Sequence, residues 1–370
     1  MDVRLSPEQQ ALRDSAAQLV STLGPGSVGE LADAERAAKL EAAVASVGWR
    51  ELRTAVGDGD SRPLASAVDA ALVAEELGRG LADTAYLGPT LAAELRRLAG
   101  APAAATPETV LLVPDLAGLA HASNAHASGV AIDARGCGYA LMLTEAATDT
   151  RQDGNGAGLV AAAYRLARVA LPEAAAVVDL TRALAVVTDA AAEPVDSQRR
   201  SLSDADVIRW SALALALTCA DLVGVMSGAV GAASAYAKVR HQYGAPIGSF
   251  QAVQHLLADA FVATEGSRSL ALHAAWAADA LPPEPAMTAA AVAKAYCSRA
   301  ARAACEAAIQ VHGGIGNTWE CIAHVFLRRA LLSSRLMGGE TASLARVLAD
   351  HGLADVGTTE RSTGGHEPDG

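Results

Sequence analysis

Two short polar stretches interrupt an otherwise apolar second half of the chain, and both have residue types suited to holding a phosphate. The first is the turn carrying Arg240, His241, Gln242 and Gln251, where Gly244, Pro246 and Gly248 break one long apolar segment from the next. An arginine there offers a planar fork of donors that matches phosphate oxygens. The second runs Gln310, Val311, His312, Gly313, Gly314, Ile315, Gly316. Its glycines leave main-chain N–H groups without Cβ obstruction, just ahead of a helical pattern, which suits a pyrophosphate. Taken singly, the first is ordinarily a solvated helix-helix connection and the second plain punctuation.

Helices must position both stretches. Four long helical patterns cover roughly 206–240, 251–281, 286–312 and 319–350, with Pro282, Pro283 and Pro285 separating the second from the third. Short connections between long amphipathic helices make antiparallel neighbours, so a four-helix bundle is expected over 201–353. Within the first pattern, Ser211 to Ala237 is almost wholly apolar or small, and Gly224 and Gly228 stand at the spacing used by membrane helix pairs. Asp221 interrupts that run and no second such segment exists, so a buried core helix is expected rather than a membrane span.

The first half divides in two. Over 1–101 the expectation is helical: Ser6, Pro7 and Gln9 form a capping-box start, Leu12, Ala16, Leu19 and Val20 repeat at helical spacing, and a second helix runs from Glu35 to Val47 before Gly48 and Trp49. Over 102–200, short runs at Thr109–Val113, Tyr139–Leu143, Ala176–Leu180 and Leu184–Thr188 are bounded by turn formers, the pattern of a small β domain. The Gly-, Thr- and Ser-rich segment 354–370 is expected to be disordered. A net charge of −12 argues against a nucleic-acid or anionic-membrane surface. Five scattered cysteines show neither metal-ligand spacing nor a disulfide framework, and the charged start has no apolar stretch behind it, so a metal-free cytoplasmic protein is expected.

From Arg240 the chain reads Arg-x-x-Tyr-Gly-x-Pro-Ile-Gly-x-Phe-Gln-x-x-Gln-His-x-Leu-Ala-Asp, ending at Asp259. This resembles the signature of the acyl-CoA dehydrogenase flavoproteins, and Gln310 to Arg329 resembles the same family's Gln-x-x-Gly-Gly-x-Gly loop and the helix after it. Glu75 to Pro89 resembles part of the family's N-terminal helical domain. The resemblance implies a mainly α fold with a small β domain: N-terminal helices, a reduced middle β domain and a C-terminal four-helix bundle. It also implies an acyl-CoA substrate, FAD as cofactor, electron-transfer flavoprotein as acceptor, and a homologous subunit in a dimer or tetramer. By the same resemblance, Arg240, Gln251 and Gln310, Val311, His312, Gly313 and Gly314 bind the ADP half of an FAD held mainly by a neighbouring subunit.

The chain departs from the family where the chemistry is done. Thr144-Glu145 is the nearest echo of a flavin-touching Thr-Glu-x-x-x-Gly-Ser-Asp segment, Gly-Ser-Asp does not follow it, and no Trp lies in the β region. The family takes the substrate's α proton with a Glu in one of two positions. Here those positions hold Met337 and Ala214, and Glu340 is the nearest carboxylate to the first. Three readings follow: a base-lacking partner in a pair of unlike subunits, a self-sufficient enzyme using Glu340, or a structural or regulatory homologue.

Overall fold

A computed structural model describes residues 4–57, 61–122, 126–146, 163–173, 178–196 and 198–353, and the segment expected to be a disordered tail lies outside them. Four helices come first: α1 (Pro7–Leu23), α2 (Ala34–Ser46), α3 (Ala67–Arg79) and α4 (Leu87–Ala99). Ser6 caps α1 through the expected reciprocal box, its Oγ accepting from the Gln9 N–H at 3.2 Å while its own N–H donates to Gln9 Oε1 at 3.1 Å. Beyond the end of α2, Gly48 adopts φ 70°, a conformation that favours glycine.

Seven strands follow: β1 (Glu108–Leu112), β2 (His121–Ala122), β3 (His126–Ala131), β4 (Tyr139–Glu145), β5 (Ala163–Ala170), β6 (Ala185–Pro194) and β7 (Leu202–Ser203). Strands β1, β3, β6, β5 and β4 pair in that order, and β4 pairs back onto β1, so five strands close into a small barrel. Leu111, Ala131, Ala140, Met142, Val169 and Val187 share one buried cluster in this domain. The expected strand at Ala176–Leu180 is absent from its described part. There Asp179 turns the chain by accepting from the Thr181 N–H (2.8 Å) and Oγ1–H (2.7 Å), a local bond that competes with strand pairing. The chain enters and leaves the barrel at one place, where the Arg200 N–H donates to Ala99 O at 3.3 Å.

The second half is helical: α5 (Asp204–Val239), a hairpin of β8 (His241–Gln242) and β9 (Ala245–Pro246), then α6 (Gln251–Ala280), α7 (Pro283–His312), α8 (Ala323–Arg335) and α9 (Gly339–Asp350). The last expected helix, 319–350, is thus two helices and begins at Ala323. Its break lies at Leu336–Gly338, where Met337 (φ 62°), Gly338 (φ 92°) and then Gly339 (φ 68°) are all left-handed. Helix α5 has the length and hydropathy of a membrane span, yet 83% of its most apolar window is buried inside the protein. Its glycines serve close packing instead. A Cβ on Gly224 would lie 1.9 Å from Glu75 O, and one on Gly228 would lie 2.2 Å from Arg79 O, so α3 crosses α5 backbone to backbone.

Candidate functional site

The α5–α6 turn is shaped by two left-handed residues. Arg240 leaves α5 in extended backbone, and its carbonyl accepts the Ile247 N–H at 2.8 Å, closing the hairpin. At the tip, Tyr243 (φ 53°) and Gly244 (φ 79°) give the paired positive φ angles of a tight primed turn. Tyr243 is 96% exposed and meets Phe250 edge-on, ring centroids 6.4 Å apart. Arg240 and Gln251 are both exposed, and among the described residues neither side chain has a polar partner.

The end of α7 comes to the same end of the bundle. His312 stacks on Tyr236, one turn before Arg240, with centroids 4.6 Å apart, and its Nδ1–H donates to Ala308 O at 2.7 Å. Gln310, Gly313 and Gly314 are exposed, His312 is half-buried and Val311 is buried. A Cβ added at Gly313 or Gly314 would meet nothing within 4 Å, so the backbone is open to a ligand. One expectation needs correction: the loop does not lead directly into a long helix but is itself a single 3-10 stretch, Gly313–Asn317. The Gly313 N–H is spent on capping α7, donating to Gln310 O and Ile309 O, and α8 begins only at Ala323. The loop therefore lies at the negative end of α7, and side-chain donors rather than a helix dipole would bind phosphate.

Met337, at the place the family resemblance gives to a base, is tied down. The Met337 N–H donates to Leu116 O at 2.7 Å, joining the α8–α9 break to the loop after β1. Leu116 is itself left-handed (φ 64°), and both side chains pack on the main core. Ala214 is buried on α5. Glu340 is half-buried in the first turn of α9, where a carboxylate favours the helix N-terminus. Thr144-Glu145 sits at the end of β4, Thr144 Oγ1–H donating to Arg165 O at 3.4 Å and Glu145 exposed. The loop that reaches the base position is Val113–Gly118, which carried no sequence signal beyond Pro114 and Gly118.

Residues 213–353 match the family described as acyl-CoA dehydrogenase, C-terminal domain. The chain is 32% identical over 356 residues to acyl-CoA dehydrogenase IpdE2 of Mycobacterium tuberculosis, covering 92% of this chain and 96% of that one. This chain belongs to the acyl-CoA dehydrogenase family. Acyl-CoA dehydrogenase FadE34 of the same organism is 43% identical over 149 residues, which span 40% of this chain and only 20% of FadE34. Among solved structures, the ChsE4–ChsE5 complex from Mycobacterium tuberculosis superposes with a TM-score of 0.72 at 23% identity, covering 95% of this chain and 99% of that one. A Tcur3481–Tcur3483 steroid acyl-CoA dehydrogenase variant gives 0.73 at 23%, with 94% and 99% coverage. These two likenesses show the fold.

Beneath Met337 this acyl-CoA dehydrogenase family member carries a buried ionic network drawn from all three parts of the fold. Asp221, the charge in the middle of α5, is 1% exposed and accepts from Arg182 (2.8 Å), Arg329 (2.6 Å) and Ser333 Oγ (2.7 Å). Arg182 also faces Asp133 at 3.6 Å and Asp179 at 3.7 Å, and Arg329 donates to Ala82 O and Thr181 Oγ1. Burial alone would push the Asp221 carboxyl up, but Arg182 and Arg329 hold it down at about 2, against an ordinary 3.8. The void among these groups is about 10 Å³, room for one water beside Asp133 Oδ1 and Arg182 Nη1, which face each other at 3.6 Å without a hydrogen bond. A far larger cavity, about 890 Å³, lies elsewhere, between α4, the 49–57 turn and the linker after Gly100. Its arginines are already paired, Arg96 with Glu108 and Arg97 with Glu94, and it includes none of the residues at Arg240 or Met337.

Proposed function

We propose that this chain is the base-lacking member of a pair of unlike acyl-CoA dehydrogenase-like subunits that carry out FAD-dependent α,β-dehydrogenation of an acyl-CoA thioester. The carrying observation is the Met337 position, where a thioether stands in place of a carboxylate and the backbone N–H is bonded to Leu116 O. A methionine accepts no proton from a substrate carbon. The cofactor fit divides the same way. Arg240, Gln251 and Gln310 present free donors at one end of the bundle beside an open backbone at Gly314, which suits an ADP half. On the barrel, Thr144 Oγ1–H donates to Arg165 O and Glu145 is exposed, and none of the chain's four tryptophans, Trp49, Trp210, Trp276 and Trp319, lies there. FAD, when bound, supplies the hydride acceptor. In the assembly, Arg240, Gln251 and the Gln310–Gly314 segment neutralise and orient its pyrophosphate for the partner's site, while the partner supplies the carboxylate.

The unlike-subunit reading is supported by the fold likeness to the ChsE4–ChsE5 complex, whose two names denote two chains. A bulky, steroid-like acyl group and electron-transfer flavoprotein as acceptor belong to the same proposal, as does a cytoplasmic location consistent with five free cysteines. Purifying the chain alone and with a candidate unlike subunit tests the reading. Flavin absorbance and acyl-CoA oxidation should appear only with the partner, and Glu340→Gln should leave the rate of that complex unchanged. If the chain alone, saturated with FAD, oxidises an acyl-CoA and Glu340→Gln costs on the order of 10²-fold or more, Glu340 is the base and the proposal is wrong.

A further inference from the structure

Both places where the family keeps its base frame one region of this chain. Ala214 lies on α5 two turns before Asp221, so the two residues share a face of that helix. Ser333 lies four residues before Met337 on α8 and donates to Asp221. A substrate whose α carbon stood beside either base position would have to extend its acyl chain between α5, α8, the α3–α4 turn and the barrel. In this chain that space holds Asp221, Arg182 and Arg329, with Tyr86 and Leu87 around them, and keeps only about 10 Å³ free. An apolar acyl chain needs a dry apolar slot, and it would have to displace Asp221 and the two arginines paired with it, separating buried charges from their counter-ions. Four residues beyond Ser333, the Leu116 carbonyl accepts the Met337 N–H, a main-chain bond between two left-handed residues that ties the barrel to the bundle.

We infer that this chain's own acyl slot is filled from within by the Asp221–Arg182–Arg329 network and latched at Leu116–Met337. An assembly containing it therefore holds acyl-CoA only in the partner's slot. The inference rests on the proposed reading of the chain as a base-lacking acyl-CoA dehydrogenase subunit, and it adds that the slot is occupied as well as lacking its base. The latch and the network act differently: the latch bars entry and the network removes the volume.

A fatty acyl-CoA carrying a diazirine in its chain, photolysed with the full-length protein and mapped by peptide mass spectrometry, reads the slot directly. The isolated chain, and the chain in complex with an unlike subunit, should take no label in 209–226 or 325–339. Label in either segment of the wild-type chain overturns the inference. The double variant Asp221→Ala, Arg329→Ala exchanges the pair for space and should gain label in 209–226, provided circular dichroism shows it folded. A folded variant that stays unlabelled shows that the network is not what fills the slot. If that variant does not fold, the wild-type labelling decides alone. Failure of the unlike-subunit reading would show separately, as absence of complex formation or flavin retention, and the labelling of the isolated chain stands whichever way that arm falls.

Discussion

Replacing Asp221 by Asn keeps the shape of the side chain and removes one negative charge from a buried site, where the residue is 1% exposed. Two guanidiniums and one hydroxyl converge on the carboxylate at 2.6–2.8 Å. Breaking a buried ion pair by removing one partner ordinarily costs about 3–5 kcal/mol, because the surviving charge stays buried. Arg182 retains Asp133 and Asp179 only at 3.6–3.7 Å, too far for hydrogen bonds, so compensation is poor and about 3 kcal/mol or more is expected. The pH dependence supplies a second check. With the folded carboxyl near 2 and the unfolded one at 3.8, the unfolded state binds more protons between those values, and stability falls as pH falls through that window. The shift is worth roughly 2 kcal/mol. Urea denaturation of wild type and Asp221→Asn at pH 7 should therefore show a midpoint difference that shrinks as pH is lowered from about 4 towards 2. A loss under about 1 kcal/mol at pH 7, or a difference that stays constant across that range, would refute the account of Asp221 as the charged centre of the network.

Gly224→Ala should destabilise by at least the roughly 1–3 kcal/mol of an overpacked core, since the added Cβ meets the Glu75 carbonyl rather than a movable side chain, and thermal unfolding would show it. Arg240→Ala should weaken FAD retention in the assembled complex by roughly 1.5–3 kcal/mol, about ten- to a hundredfold in Kd, with unchanged circular dichroism. Unaltered flavin affinity would make the turn a mere connector. Buried Lys294 donates to Ser333 O, and desolvation lowers its ammonium from 10.5 to about 8. The unfolded state binds more protons between those values, so wild type should gain stability relative to Lys294→Met as pH rises through that window, which chemical denaturation between pH 7.5 and 10.5 would measure.

Elements with strong periodicity and end signals were legible in the sequence: α1 through its capping box, α5 through its apolar run, α7 through its prolines. The turn at Arg240 and the loop at Gly313 were legible as a pair through their resemblance to two motifs of one family, and the bundle brings the helix ends that carry them together through Tyr236 and His312. What stayed hidden was set by tertiary contact. Strand β5, Ala163–Ala170, alternates weakly and owes its place to pairing with β4 and β6. The break at Met337 looked like continuous helix because the Gly338-Gly339 pair permits a turn without requiring one, and the Leu116 carbonyl decides it. Asp221 was visible only as a flaw in an apolar run. Its partners Arg182 and Arg329 lie far away in the chain, and nothing local announces them.

The meeting of Ala99 and Arg200 makes the barrel an insertion within a helical protein. Helices α3 and α5, on either side of that insertion, lock together through Gly78, Gly224 and Gly228 as though the residues between them were absent. Such an arrangement divides the barrel into two sides. Leu112, Leu141 and Leu166 share the main core with the helices and Arg182 pairs with Asp221, so the side turned to the helical body is tied to it, while the side turned away carries none of those contacts. On the proposed reading of this chain as a partner subunit, the bonds that hold Ala99 to Arg200 and α3 to α5 would keep a formed surface for the partner where catalytic groups are missing.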